Sequence, residues 1–231
     1  MFCITIAEKR IENVKEKLKL TSQVSSLAEI RADFLEELEV KRLEEIFEGE
    51  LSLLWTFRSP REGGAKRISE KERLKWIKWA LDKNFKWLDV EWYFFKKFKK
   101  ELQSHSYFPQ KFLISYHNFK KTPSFRFLRG LLKSFKKEGI KYAKIVTMVE
   151  SFYEALKLLE LIYEAKEKDI SLIAFGMGEK GILSRILCLF CGSPFTYVVL
   201  KKEEALAPGQ LDFISAKRLY EELKSCMKSM E

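Results

Sequence analysis

Long hydrophobic runs are missing from this 231-residue sequence. Apolar stretches such as Ile182–Leu183 and Ile186–Phe190 are broken by Ser184 and Arg185. None approaches the ~20 residues needed to cross a bilayer, so no membrane partner is expected. No charged-then-apolar leader opens the chain, which points away from export and toward a cytoplasmic setting. With only 10 glycines and 5 prolines, there is little material for long linkers. The 4 cysteines (Cys3, Cys188, Cys191 and Cys226) are too few for a disulfide scaffold at this length, and a reducing compartment is the default. Cys188 and Cys191 stand three apart in an apolar helical run, where buried thiols are common. A zinc reading lacks a second ligand pair, because the only histidines, His105 and His117, are remote in sequence. No metal site is expected.

What is plentiful is charge: 43 Lys+Arg against 33 Asp+Glu, a formal net charge of +10. A basic cluster with an aromatic, Lys96-Lys97-Phe98-Lys99-Lys100, resembles a nucleic-acid footprint. Most lysines, however, lie beside glutamates, as in Lys15-Glu16-Lys17 and Glu164-Ala165-Lys166-Glu167-Lys168. Such runs read as solvated helix faces, and no nucleic-acid partner is expected. A hydrophobic content of 46% is that of a globular chain.

Short β-branched or aromatic runs alternate with longer amphipathic ones. Strands are predicted at Phe2–Ala7, Leu27–Phe34, Leu51–Arg58, Phe85–Trp92, Lys111–His117, Tyr142–Met148, Ser171–Met177 and Phe195–Leu200. The clearest helices are Ser69–Lys83, Pro123–Glu138, Ser151–Lys168, Glu179–Cys191 and Gln210–Met227, with weaker patterns over Ile11–Leu20 and Val40–Phe47. Ser69 with Glu72 and Ser151 with Glu154 read as capping boxes, and Gly139 as a helix stop. Eight strand–helix units average about 29 residues each. An open doubly wound sheet also alternates in this way, but the count favours one α/β domain over residues 1–231, a (β/α)8 barrel.

In such a barrel chemistry gathers where strands end, and ionisable residues are abundant there. Glu29 and Arg31 are two apart and share a face. Thr56-Phe57-Arg58 is followed by Glu62-Gly63-Gly64; Asp89 and Glu91 end the fourth strand and His117 the fifth. Glu29 and Arg31 could form a structural ion pair, and His117 could be a half-buried core residue. Lys144, inside Ala143-Lys144-Ile145-Val146-Thr147, is the most informative. An amine in a dry strand is paired or has a depressed pKa and acts as a nucleophile. Glu29, Glu62 or Glu91 could pair with it; Arg31, Arg58 and Arg185 could depress it. A reactive lysine with a histidine points to Schiff-base chemistry on a carbonyl. Gly176-Met177-Gly178-Glu179-Lys180-Gly181 matches a dinucleotide fingerprint, yet one remaining strand cannot complete a βαβαβ half. The glycines are expected to let backbone approach a small ligand, with the next helix carrying Arg185 inward.

These segments, in order, are similar to those of the type I 3-dehydroquinate dehydratases of the shikimate pathway. The matching stretches are Glu29-Ile30-Arg31-Ala32-Asp33, Thr56-Phe57-Arg58-Ser59 with Glu62-Gly63-Gly64, Ser115-Tyr116-His117-Asn118-Phe119 with Thr122-Pro123, Lys144-Ile145-Val146-Thr147-Met148, Met177-Gly178-Glu179-Lys180-Gly181 with Ser184-Arg185, and Ala207-Pro208-Gly209-Gln210. The resemblance implies a (β/α)8 barrel that eliminates water from 3-dehydroquinate on one side of the ring, through an imine and without a cofactor. It implies Lys144 as the amine, His117 as acid–base group and Glu62 as its partner. Glu29, Ile30, Arg31, Arg58, Arg185 and Gln210 would bind substrate. Relatives are often dimers, so a homodimer is expected.

Two departures stand out. Leu206 occupies a position where relatives commonly carry a small hydroxyl residue, leaving only backbone to serve there. Relatives often begin with an extra hairpin under the barrel; a first strand at Phe2–Ala7 leaves no length for one, so closure of the floor is in doubt. A lysine-dependent aldolase-type barrel is the alternative enzyme, and a basic binding protein the non-enzymatic one.

Overall fold

The computed structural model describes residues 1–47 and 49–228, so residue 48 and residues 229–231 of the expected domain lie outside the described residues. Each predicted strand is present: β1 Phe2–Ile6, β2 Leu27–Arg31, β3 Ser52–Thr56, β4 Trp87–Glu91, β5 Phe112–Asn118, β6 Tyr142–Met148, β7 Ser171–Met177 and β8 Thr196–Val198. The helices among them are α1 Ile11–Ser22, α2 Val40–Glu44, α3 Glu70–Leu81, α4 Trp92–Lys97, α5 Lys99–Gln103, α6 Phe125–Lys137, α7 Phe152–Lys166, α8 Ser184–Phe190 and α9 Phe213–Lys228.

Local chemistry accounts for the helix starts. Ser69 Oγ accepts from Glu72 N at 3.1 Å before α3, and Ser151 Oγ from Glu154 N at 3.2 Å before α7, each satisfying an orphan donor of the first turn. Two predicted elements are broken up. Glu179–Cys191 is a 3-10 turn over Glu179–Gly181 followed by α8. Leu27–Phe34 leaves extended geometry after Arg31, where Ala32–Phe34 coil into a 3-10 turn.

The strands pair in parallel in the order β7-β6-β5-β4-β3-β2-β1-β8. The ladder therefore runs almost all the way round a (β/α)8 barrel. At the β7–β8 seam, Ser193 Oγ donates to Leu172 O at 2.9 Å, and Phe175 and Tyr197 bring their rings together.

Because strand side chains alternate between faces, each strand divides its residues between the interior and the helical layer. The inward faces run from apolar to ionisable toward the carboxyl ends: Leu27, Glu29, Arg31 on β2; Trp87, Asp89, Glu91 on β4; Leu113, Ser115, His117 on β5. The lower interior is aromatic. Trp87 meets Phe195 at 5.3 Å and Tyr142 at 5.5 Å between ring centroids. Those rings come from opposite sides of the barrel and touch across its axis. The floor, whose closure the sequence left open, is thus filled from within by side chains.

Candidate active site

Lys144 sits midway along the inward face of β6, 6% exposed. Its register partner on β5 is Ser115, and the next inward residue, His117, pairs with Val146. The imidazole therefore stands one step nearer the mouth than the amine, on the neighbouring strand. Both line a single cavity at the carboxyl ends of the strands.

The nearest carboxylate to the amine is Asp89, at 3.5 Å from Lys144 Nζ, rather than Glu29, Glu62 or Glu91. Asp89 is already engaged: Arg58 donates to it at 2.7 Å, and Ser115, which also accepts from Arg58 at 2.8 Å, donates to it at 2.5 Å. Burial lowers the pKa of Lys144; Asp89 and Glu29 oppose that shift, while Arg58 and Arg31 add to it. The net shift favours the neutral form of the amine.

His117 is fixed by Glu62, whose Oε2 lies 2.8 Å from Nδ1 and also accepts the His117 backbone N–H at 3.1 Å. Glu62 ends a 3-10 turn, Pro60–Glu62, and Gly63 follows at φ +83°. A Cβ there would come within 2.5 Å of the Phe119 ring. Glycine thus supplies the left-handed turn and lets Phe119 cover it. Burial pushes the Glu62 carboxyl up to about 8 against the pull of Arg58, and drives the imidazole of His117 well below its usual value.

The other expected site residues divide. Glu29 lines the cavity and accepts hydroxyls from Thr5 at 3.0 Å and Thr56 at 2.7 Å. Arg31 does so too, but its carboxylate partner is Asp33, held through two bonds of 2.9 and 2.8 Å; an ion pair with Glu29 is not formed. Arg58 also faces the cavity with its hydrogen bonds spent on Asp89 and Ser115. Arg185, on α8, is 3% exposed and lines the same cavity. It donates to Pro208 O at 3.1 Å, while its Nε has no hydrogen-bond partner among the described residues. Burial lowers its pKa to about 10. Gln210 closes the rim: its Oε1 accepts from Leu206 N at 2.9 Å. Of the backbone groups left to serve substrate at Leu206, the N–H is therefore already used. Ile30 does not belong with this set. It falls between Glu29 and Arg31 on β2, so its side chain is directed to the helical layer, where it is buried in the core.

Two of the glycines in Gly176–Gly181 meet each other, and the helix that follows carries Arg185 inward as expected. A Cβ at Gly181 would lie 2.4 Å from the Gly176 carbonyl. They let backbone meet backbone, folding the chain tightly from β7 into the turn that presents α8 and Arg185.

Residues 2–226 match the sequence profile of type I 3-dehydroquinase. The chain belongs to that family. Two similar proteins are the 3-dehydroquinate dehydratases of Methanocaldococcus jannaschii and Pyrococcus abyssi. The first is 32% identical over 225 residues, covering 95% of this chain and 97% of its own. The second is 38% identical over 202 residues, covering 87% and 89%. A crystal structure of the type I enzyme from Clostridium difficile with covalently modified comenic acid matches with a TM-score of 0.86 at 27% identity, covering 97% of this chain and 92% of that one. The family is one of hydro-lyases, and this chain is an enzyme of that class.

Around the family's barrel mouth, sequence reasoning left several residues without a role. Asp89 was visible at a strand end, but its partners were not. Asp33 stood in a matching stretch without a role of its own; Thr5 and Tyr197 carried no signal, because a hydroxyl or a ring in a core strand looks the same whether it faces the cavity or the helices.

Proposed function

We propose that the chain converts 3-dehydroquinate to 3-dehydroshikimate in the shikimate pathway, through an imine on Lys144. The observation that carries this reading is a buried amine facing the barrel mouth beside an imidazole whose Nδ1 is held by a carboxylate. The neutral amine adds to the substrate ketone, and the carbonyl oxygen leaves as water. The resulting protonated imine withdraws electrons from the adjacent carbon. His117, with Nδ1 held by Glu62, takes the proton from that carbon at Nε2, and the C–H electrons form an enamine. The enamine electrons then expel the neighbouring hydroxyl, which leaves as water with the proton from His117. Hydrolysis of the imine releases product and restores the amine. Two waters are lost and one is consumed, giving the net dehydration.

Arg185 is suited to the substrate carboxylate, as a buried guanidinium with an unpartnered donor. Arg31 and Arg58 add positive potential through guanidinia already oriented by Asp33 and Asp89. Glu29 and Gln210 are suited to substrate hydroxyls. No role is assigned to the side chain of Ile30. Buried free thiols at Cys3 and Cys188 support work in a reducing cytoplasm. Apolar side chains exposed along α7, including Tyr153 at 65% and Tyr163 at 57%, support a homodimer that covers them.

Treating the protein with 3-dehydroquinate and borohydride should leave a reduced adduct on the peptide containing Lys144. Lys144→Ala should lose both the adduct and essentially all turnover. Undiminished turnover by that variant overturns the imine.

A further inference from the structure

Only part of what surrounds the Lys144 nitrogen is carboxylate. Its other close neighbour is the face of Tyr197, with Nζ standing over the ring 3.7 Å from the centroid. Both residues are buried, Tyr197 at 4% exposure. The ring is seated against Phe195 at 5.4 Å and Phe175 at 6.5 Å. Its hydroxyl is buried without a hydrogen-bond partner among the described residues, so no polar contact at the tip explains why the ring is there. What the residue offers the site is its negative face.

We infer that Tyr197 stabilises positive charge on the Lys144 nitrogen, and so holds the imine in its protonated, electron-withdrawing form. An aromatic face attracts a cation within about 6 Å of its centroid, more strongly where water is excluded. This inference rests on the imine reading. Along that pathway the nitrogen is cationic as the ammonium and as the protonated imine, and neutral as the amine and the enamine. The ring therefore acts on the cationic states, in a place where the nearest carboxylate is shared with Arg58 and Ser115. Burial drives the nitrogen toward neutrality; the ring face opposes it without contributing a group that could itself take the proton.

The test replaces Tyr197 by phenylalanine and then by mono-, di- and trifluorinated phenylalanines, which weaken the face stepwise while nearly keeping its size. The other charged and titratable groups around the nitrogen are Asp89, Glu29, Arg58, Arg31, His117 and Cys3, and they are the same in every variant. Two titrations are read. The first is the Lys144 amine in ligand-free protein, followed by nitrogen NMR. The second is the pH dependence of borohydride trapping with 3-dehydroquinate. Both midpoints should fall in steps along the series, by about one pH unit from phenylalanine to the trifluorinated ring, a tenfold change in proton affinity. A purely packing role predicts no such grading. Midpoints that stay constant overturn the inference, even where Lys144 is trapped normally. Failure to trap any adduct in the unsubstituted protein overturns the imine reading instead, while the ligand-free titration still decides the role of the ring.

Discussion

Glu62 and His117 together set the pH at which the site can work. Below about 8 the Glu62 carboxyl keeps its proton and can donate it to Nδ1, which leaves the imidazole hydrogen on Nε2 and no lone pair there for substrate. As pH rises through that value, the carboxylate accepts from Nδ1–H instead and frees Nε2 as a base. The lowered pKa of Lys144 acts in the same direction, since the amine is nucleophilic only when deprotonated. We therefore expect kcat/KM to rise with pH across the neutral range and through about 8. A profile flat over that range would remove the pairing. At this scale the sequence was most legible where chemistry conflicts with position. A lysine inside an Ile/Val-rich strand needs a reason, and Lys144 gives one. Partners were less legible. Arg31 is two residues from Glu29 and two from Asp33, and the 3-10 turn after Arg31 gives it to Asp33.

Among the elements, the junction of β7 with α8 is the most tightly constrained. Adding a methyl group at Gly181 would force apart two backbone segments, because its Cβ would fall 2.4 Å from Gly176. Overpacking of this kind costs about 1–3 kcal/mol, worth roughly 2–4 °C per kcal/mol in a chain of this size. Gly181→Ala should lower Tm accordingly in a thermal melt. It should also raise KM, because Arg185 is carried on the displaced helix; unchanged values for both would show that the contact is relaxed. The spacing of these glycines announced a close approach, expected to be that of a small ligand; Gly181 approaches the backbone of Gly176. β6 and β7 were readable to the residue, being long buried strands with sharp turn signals. The crossover after β4 was not, because its apolar positions Phe94, Phe95, Phe98 and Leu102 are set among the lysines that read as a basic cluster, and it folds as two short helices, α4 and α5.

For the whole molecule, the barrel followed from counting strand–helix units, and its closure from the register that carries β1 beside β8. The proposed homodimer rests on the surface: Phe152, Tyr153, Leu156 and Tyr163 leave an apolar strip along α7. Sedimentation equilibrium should give twice the mass of one chain, and Tyr153→Glu with Leu156→Glu should halve it. A monomer before substitution would dismiss the strip as an interface. The aromatic floor has a consequence of its own. With Trp87, Tyr142 and Phe195 meeting across the axis, the cavity is a cul-de-sac. Whatever enters past Gln210 and Leu206 must leave by the same doorway, and so must the water released in each turnover. Departing product and arriving substrate then share one passage.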